Sequence, residues 1–380
     1  MMSVIFTESD DEHTDPFDKT VESTFNNFKK WFSWSKKDDL TKEQIEFGTP
    51  EQSSLLINEL KLKQEYQAPK YVLLCHGLSG FDRVLLIPSL NLVSSILSGG
   101  KSKESQQQLQ DRGGVALEYW IGIEEALEAK GSTVITAKVP GFGSIEDRAN
   151  ELNRYISKYT GKLRSKSKSD IYHENPNSTK QEETKDDSTF KENKEKIKVN
   201  LIAHSMGGLD CRYLISQIEN KNFEVVSLTT ITTPHHGSEV ADHLVGLTQT
   251  IQSEKILPPS IYQLTTSYLR DFNKRVPNDP NVQYFSYGAS FIPRWYNVFY
   301  GTWNIINATA GPNDGMVSVE SSKWGNYLGT LMNVDHLDLI NWTNGFKRLV
   351  SKIVPEEPAP EVNTVALYLD IADYLAKRGL

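Results

Sequence analysis

Residues 198–210, KVNLIAHSMGGLD, decide how this chain is read. Val199, Leu201 and Ile202 are strand formers in a short apolar run. Gly207 and Gly208 permit close backbone approach before LDCRYLIS, residues 209–216, takes up helical spacing. The pattern predicts a strand, a sharp turn and a helix, with Ser205 at the apex. A serine between small residues also suits an ordinary turn, so a chemical role for Ser205 depends on partners elsewhere in the chain.

A serine hydroxyl is a poor nucleophile near neutral pH. It needs a histidine to take its proton and a carboxylate to orient and stabilise the imidazolium. GPNDGMVSV, residues 311–319, supplies Asp314 in a Gly-bounded turn, and NVDHLDLINW, residues 333–342, supplies His336. Asp335 and Asp338 flank that histidine and are weaker orienters, since sequence neighbours rarely face the same imidazole nitrogen. His204, one residue before the serine, is expected to project away from the site and to be structural. His235 and His236 in TTPHHGSE have no second cluster at ligand spacing, so no metal is expected. Stabilising an oxyanion calls for backbone amides, and CHGLSG, residues 75–80, can curl over the serine through Gly77 and Gly80. The expected donors are the amides of Leu78 and Met206. Cys75 lies inside a strand run and is read as a buried, inert thiol.

Around these motifs strands alternate with helices, which predicts an α/β fold with a mostly parallel central sheet and helices on both faces. Tyr71 opens the first clear strand. ALEYWIGIEEALEAKG, residues 116–131, is read as a helix ended by Gly131, and TVITAKV, residues 133–139, as the next strand. SIEDRANELNRYISKYTG, residues 144–161, reads as a helix with Ser144 and Asp147 in capping-box spacing and Gly161 at its end. VVSLTTI, residues 225–231, is a further strand. Residues 162–196 are rich in Lys, Ser, Glu and Asn with few apolar anchors and read as a disordered insertion. Residues 84–113 break the rhythm as well, an apolar run passing into a polar one. The expected organisation is an acidic tail and amphipathic helix at 1–48, a catalytic domain at 49–354, and a linker with a C-terminal helix at 355–380.

The net charge of −8 and the lack of a basic stripe argue against nucleic-acid binding. Two cysteines allow at most one bridge, which points to a reducing, intracellular compartment. The N-terminal stretch has neither a basic region followed by a long apolar run nor an Arg-rich character, and no segment approaches the roughly 18 to 20 apolar residues of a spanning helix. Phe17, Val21, Phe25, Phe28 and Phe32 recur at helical spacing with lysines nearby. Residues 17–35 therefore suit either a helix packed on the body or one lying on a membrane or lipid-droplet surface.

Several blocks in order, VLLCHGLSGFD, EYWIGIEEALEAKGSTVITAKVPGFGS, KVNLIAHSMGGLDCRYLIS, VVSLTTITTPHHGSEVAD, NDGMVSVESSKWG and DHLDLINW, resemble bacterial lipases of the Pseudomonas and Burkholderia type. They are still more similar to the intracellular triacylglycerol lipases of fungi. The resemblance covers about residues 70–345 and implies an α/β-hydrolase fold, in which the serine sits on a nucleophile elbow and the triad runs Ser, Asp, His along the chain. It implies Ser205 as nucleophile, Asp314 and His336 as its partners, Leu78 and Met206 as oxyanion donors, and acylglycerols as substrates without a cofactor. Asp338 matches one position of the bacterial calcium site, but Trp342 stands where a side-chain oxygen ligand belongs, and the bacterial disulfide has no counterpart. The lid that follows HHGSEVADHLVGL is shorter here, so residues 84–97 could share in covering the cleft, and 256–264 could line an acyl groove. Fungal relatives also suggest a mitochondrial association. Two other uses of the same scaffold are a phospholipase or inositol deacylase, and a catalytically silent module that binds membranes or partners.

Overall fold

A computed structural model describes residues 56–57, 60–78, 83–85, 116–174, 196–250, 257–293, 295, 297–342 and 363–380. The aromatic segment 17–35, most of the apolar run 84–97 and the insertion from 175 to 195 lie outside the described residues. The chain divides into two units, Met1–Gln52 and Ser53–Leu380, and all the described strands and helices lie in the second.

Nine strands are described: β1 Leu56–Ile57, β2 Tyr71–Cys75, β3 Arg83–Leu85, β4 Ala116–Glu118, β5 Thr133–Thr136, β6 Ile197–His204, β7 Phe223–Ile231, β8 Gln283–Ser290 and β9 Asn326–Met332. Seven of them form one sheet in the order β1-β9-β8-β7-β6-β2-β5. Every described pairing in it is parallel. β3 and β4 pair antiparallel apart from it. The helices are α1 Ile123–Glu128, α2 Ile145–Glu174, α3 Gly207–Gln217, α4 Glu239–Thr250, α5 Pro259–Gln263, α6 Thr266–Arg275, α7 Tyr300–Thr309, α8 Val319–Ser322 and α9 Thr364–Ala376.

A parallel sheet is covered on both faces, so its strands are apolar on both sides, and the alternation of β2 shows how the two cores divide. Val72 and Leu74 join Ile202, Phe285, Leu331 and Leu367 on one face, while Leu73 and Cys75 join Ile135, Leu152, Leu201 and Leu214 on the other. Each of these aliphatic side chains is fully or almost fully buried, which stabilises the fold by about 2 kcal/mol per residue relative to exposure. The C-terminal helix α9 is part of this body. Leu367, Tyr368, Ile371 and Leu375 enter the first core, and Asn363 caps the helix by accepting from the N–H of Ala366.

Two expected helices differ in extent. The stretch 116–131 begins as β4, because Gly122 stands at φ 72°, a left-handed conformation that a helix interior excludes, and only Ile123–Glu128 is helical. The helix that starts at Ser144 does use its capping pair, with Asp147 N–H donating to Ser144 Oγ at 3.1 Å. It does not stop at Gly161, however, and runs to Glu174. Ile145, Ala149, Leu152 and Ile156 pack its inner face, Thr160 bonds Asn222 and Arg164 bonds the Asn222 carbonyl. A glycine with open space around it costs only about 1 kcal/mol against alanine in such a setting. Residues 162–174, expected to be disordered, thus continue α2. Charged and polar side chains on a helix that already has an anchored face do not prevent it from extending.

Candidate active site

The carboxyl ends of the parallel strands bring the site together. β6 ends at His204, the chain turns at Ser205, and α3 begins at Gly207. Ser205 is held at φ 55°, a strained conformation for a residue with a Cβ, which here is over-determined by its surroundings. Its N–H donates to the Ile231 carbonyl at 3.0 Å, and its carbonyl accepts from Thr233 Oγ1 at 2.7 Å and Gly208 N–H at 3.1 Å. A Cβ at Gly207 would stand 2.6 Å from the carbonyl oxygens of Cys75 and His76, so the glycine two residues after the serine lets the elbow sit against the end of β2. The serine itself is partly exposed.

Asp314 lies between α7 and α8 on the connection from β8 to β9, and His336 follows the end of β9. Asp314 is fully buried and His336 nearly so. His336 Nδ1–H donates to Asp314 Oδ2 at 2.6 Å. The other carboxylate oxygen accepts from the N–H groups of Met316 and Val317 at 2.9 and 2.8 Å, and His336 N–H donates to the Asp314 carbonyl at 3.0 Å. With Nδ1 committed to the carboxylate, Nε2 is the ring nitrogen left to exchange a proton with a serine hydroxyl. The helix α9 steadies the turn after His336. Thr364 Oγ1 donates to the Asp338 carbonyl at 2.8 Å and the Tyr368 hydroxyl to the Leu339 carbonyl at 3.0 Å.

The loop after β2 closes over the elbow. A Cβ at Gly77 would lie 2.6 Å from Ser205 Cβ and 3.1 Å from Ser205 Oγ, so only glycine allows this approach. Among the described residues neither Leu78 N–H nor Met206 N–H donates to a partner within the chain. Two backbone donors flanking a serine are what a developing oxyanion requires.

Arg148, fully buried on α2, fastens this loop. Its guanidinium donates to the carbonyls of His76 and Gly77 at 3.0 and 3.2 Å and to that of Pro140 at 2.8 Å. It also pairs with Asp210 of α3 at 2.7 Å. Burial nevertheless pushes the Asp210 carboxyl up to about 6, the attraction of Arg148 offsetting only part of the desolvation. His76, in the same loop, accepts from Val139 N–H at Nε2.

The remaining histidines fall into two groups. His204 does not project away from the site: its ring centroid lies 4.5 Å from that of His336. A β-strand end that feeds a sharp turn directs the residue before the serine across the floor of the cleft, where sequence alternation alone would place it on the far side. His235 is buried, stacks on Trp324 and meets Thr230 Oγ1 at 3.0 Å, while exposed His236 tilts against the same indole. Among the described residues no group of three or more His, Cys, Asp or Glu side chains could hold a metal ion. Asp335 caps its own turn, accepting from the N–H groups of Leu337 and Asp338. Cys75 and Cys211 are both free and buried.

Comparison with known proteins shows the family and the fold. The chain is 44% identical over 345 residues to triacylglycerol lipase 2 of Saccharomyces cerevisiae, which covers 86% of this chain and 98% of the yeast protein. The chain belongs to the triacylglycerol lipase family. A more distant member, the triacylglycerol lipase of Burkholderia plantarii, is 24% identical over 353 residues, spanning 74% of this chain and 82% of its own. The family described as "Putative serine esterase (DUF676)" matches residues 183–278, the region that carries the elbow. The crystal structure of Staphylococcus hyicus lipase superposes with a TM-score of 0.50 at 18% identity, covering 83% of this chain and 98% of that one, a likeness of α/β-hydrolase fold.

Within this lipase fold, Arg148 and Tyr119 were not singled out by sequence reasoning. Arg148 sits in an ordinary amphipathic helix, and nothing in its spacing tells that its side chain points inward to Asp210, 62 positions away. Tyr119 lies in a stretch read as helix, whereas the turn before Gly122 directs its hydroxyl to Gly77 N–H at 2.9 Å.

Proposed function

We propose that this chain is a serine hydrolase that cleaves the carboxylic ester bonds of acylglycerols, with Ser205 as nucleophile, His336 as general base and acid, and Asp314 orienting the imidazole. The observation that carries the reading is the buried 2.6 Å bond between His336 and Asp314, in a chain that runs Ser, Asp, His and holds its serine at positive φ. The identity to a yeast triacylglycerol lipase over nearly its whole length supports acylglycerols as the substrate class.

In this mechanism Ser205 Oγ attacks the ester carbonyl carbon while its proton passes to His336 Nε2, and the imidazolium is stabilised by Asp314. The carbonyl oxygen becomes an oxyanion between the amides of Leu78 and Met206, each such donor contributing about 3 kcal/mol. Collapse breaks the bond to the glycerol oxygen, which takes the proton from His336 and leaves an acyl-serine. Water then gives a proton to His336 and attacks the acyl carbon; the proton returns to Ser205 as the fatty acid departs. No cofactor enters these steps.

Contact with a lipid surface through residues 17–35 belongs to the same proposal and is supported by the aromatic and lysine pattern of that segment. Cosedimentation of the full chain and of a chain lacking residues 1–40 with phospholipid vesicles tests it, and equal binding would refute it. An intracellular site of action is proposed from the cysteine usage. The activity is tested by hydrolysis of triacylglycerol and of a soluble short-chain ester by the wild type and Ser205→Ala. Loss of both activities in the variant is expected, and hydrolysis that survives it would overturn the assignment.

A further inference from the structure

The Tyr119 hydroxyl is buried between two parts of the site. It accepts from Gly77 N–H at 2.9 Å, in the loop that carries Leu78. It lies 2.7 Å from His204 Nδ1. A phenol has one proton, and among the described residues His204 Nδ1 is the acceptor within reach, so the proton of His204 is assigned to Nε2. That N–H interacts with the main chain of His336 without closing a hydrogen bond. The His204 ring rests against the His336 ring at 4.5 Å and 44°, and the Trp120 indole meets His204 edge-on behind it.

His204 is suited to this place only as a neutral ring. Desolvation and the neighbouring His336 hold its pKa well below the ordinary histidine value. A proton on Nδ1 would also displace the bond from Tyr119 and set two cations face to face. His336, by contrast, must be able to carry a charge during turnover.

Resting on the serine-hydrolase reading above, we propose that Tyr119 is a positioning residue: its hydroxyl ties the oxyanion loop at Gly77 to His204, the ring that backs His336, and so keeps the oxyanion donors and the base in register. Tyr119 then acts through Gly77 and His204 rather than on the substrate. The two bonds meet at one hydroxyl, so losing it removes both, and losing His204 leaves its proton without the acceptor that orients it.

The test compares Tyr119→Phe, His204→Leu, the double variant and His204→Gln on a soluble short-chain ester. Folding is checked by circular dichroism, and Ser205 is titrated with a fluorophosphonate. Each of the first two variants is expected to lower kcat about 10–100-fold with KM within about 2-fold, as for a buried donor or acceptor left unpaired at an oxyanion site. The double variant is expected to be within about 3-fold of the worse single one, because coupled residues are not additive. His204→Gln, whose amide oxygen can still accept from Tyr119, is expected to recover most of the loss seen in His204→Leu. Multiplying losses in the double variant, or a raised KM with kcat unchanged in Tyr119→Phe, would overturn the proposal. If Tyr119→Phe does not fold, the histidine pair decides, and equal activity of the Gln and Leu variants counts against it. A wild type that neither turns over the ester nor reacts with the fluorophosphonate would instead defeat the serine-hydrolase reading on which this rests.

Discussion

The Asp314 carboxylate is shared between two tasks: Oδ2 accepts from His336 Nδ1 at 2.6 Å, while Oδ1 accepts the amides of Met316 and Val317 and so shapes the turn that presents it. Asp314→Asn preserves the second task, because an amide oxygen can still receive both N–H groups. It destroys the first, since an NH2 facing Nδ1 forces the proton of the imidazole to Nε2. The expected result is a folded protein with an unchanged melting temperature and a kcat lower by about 10³–10⁴-fold. Parallel thermal melts and ester kinetics check it; a large loss of stability would show that the carboxylate acts chiefly in the turn.

Arg148 links the loop after β2 to the elbow helix through the carbonyls of His76 and Gly77 and the carboxylate of Asp210. Arg148→Met leaves Asp210 as an uncompensated buried charge, which costs about 3–5 kcal/mol of stability. Pairing it with Asp210→Leu removes that charge and is expected to restore most of the stability but not the activity, because the loop remains unfastened. Denaturant titration and kcat on a soluble ester separate the two effects. Recovery of both together would show that the arginine serves folding alone.

Gly77→Ala probes the approach of the loop to the serine. The added methyl would meet Ser205 Cβ at 2.6 Å and crowd Ser205 Oγ and the Tyr119 hydroxyl at 3.1 Å. The loop is expected to shift outward and kcat to fall at least about 100-fold, the scale of losing one oxyanion donor. Steady-state kinetics with the fluorophosphonate reaction rate as a second readout checks this; a change in KM alone would contradict it.

Burial and the adjacent Asp338 carboxylate push the Asp335 carboxyl from 3.8 up to about 6. A carboxyl whose pKa is higher in the folded state binds its proton more tightly there. Its contribution to stability is complete below about pH 4 and is lost as pH rises through 6. Asp335→Asn keeps an oxygen to accept from Leu337 and Asp338 N–H while removing the charge. The melting temperature is expected to rise by about 2 °C or more at pH 7.5 and to stay unchanged at pH 4. Calorimetry at the two pH values measures this, and an equal shift at both would refute the electrostatic origin.

The elbow, the parallel sheet and the order of Ser205, Asp314 and His336 were legible in the sequence because each rests on local pattern: apolar runs of strand length, glycines at fixed offsets, and an acid and a histidine in turns. What escaped was long-range. The Tyr119 hydroxyl reaches Gly77 and His204, 42 and 85 positions away, and Arg148 reaches Asp210. Neither residue differs in sequence from a common surface or core position. Helix limits were misread at Gly161, where open space made glycine cheap, and at Gly122, where a positive φ made it obligatory. His204 was expected to face away because alternation along β6 does not foresee how the turn at Ser205 aims the last strand residue.

The most direct measurement is the release of fatty acid from an emulsified long-chain triacylglycerol by the wild type and by Ser205→Ala, each shown to be folded. The mechanism predicts steady hydrolysis by the wild type and a loss of at least about 10⁴-fold in the variant, the residual catalysis coming from binding and the oxyanion donors. A folded wild type that leaves the emulsion intact, or a Ser205→Ala protein that hydrolyses it at a comparable rate, would contradict it.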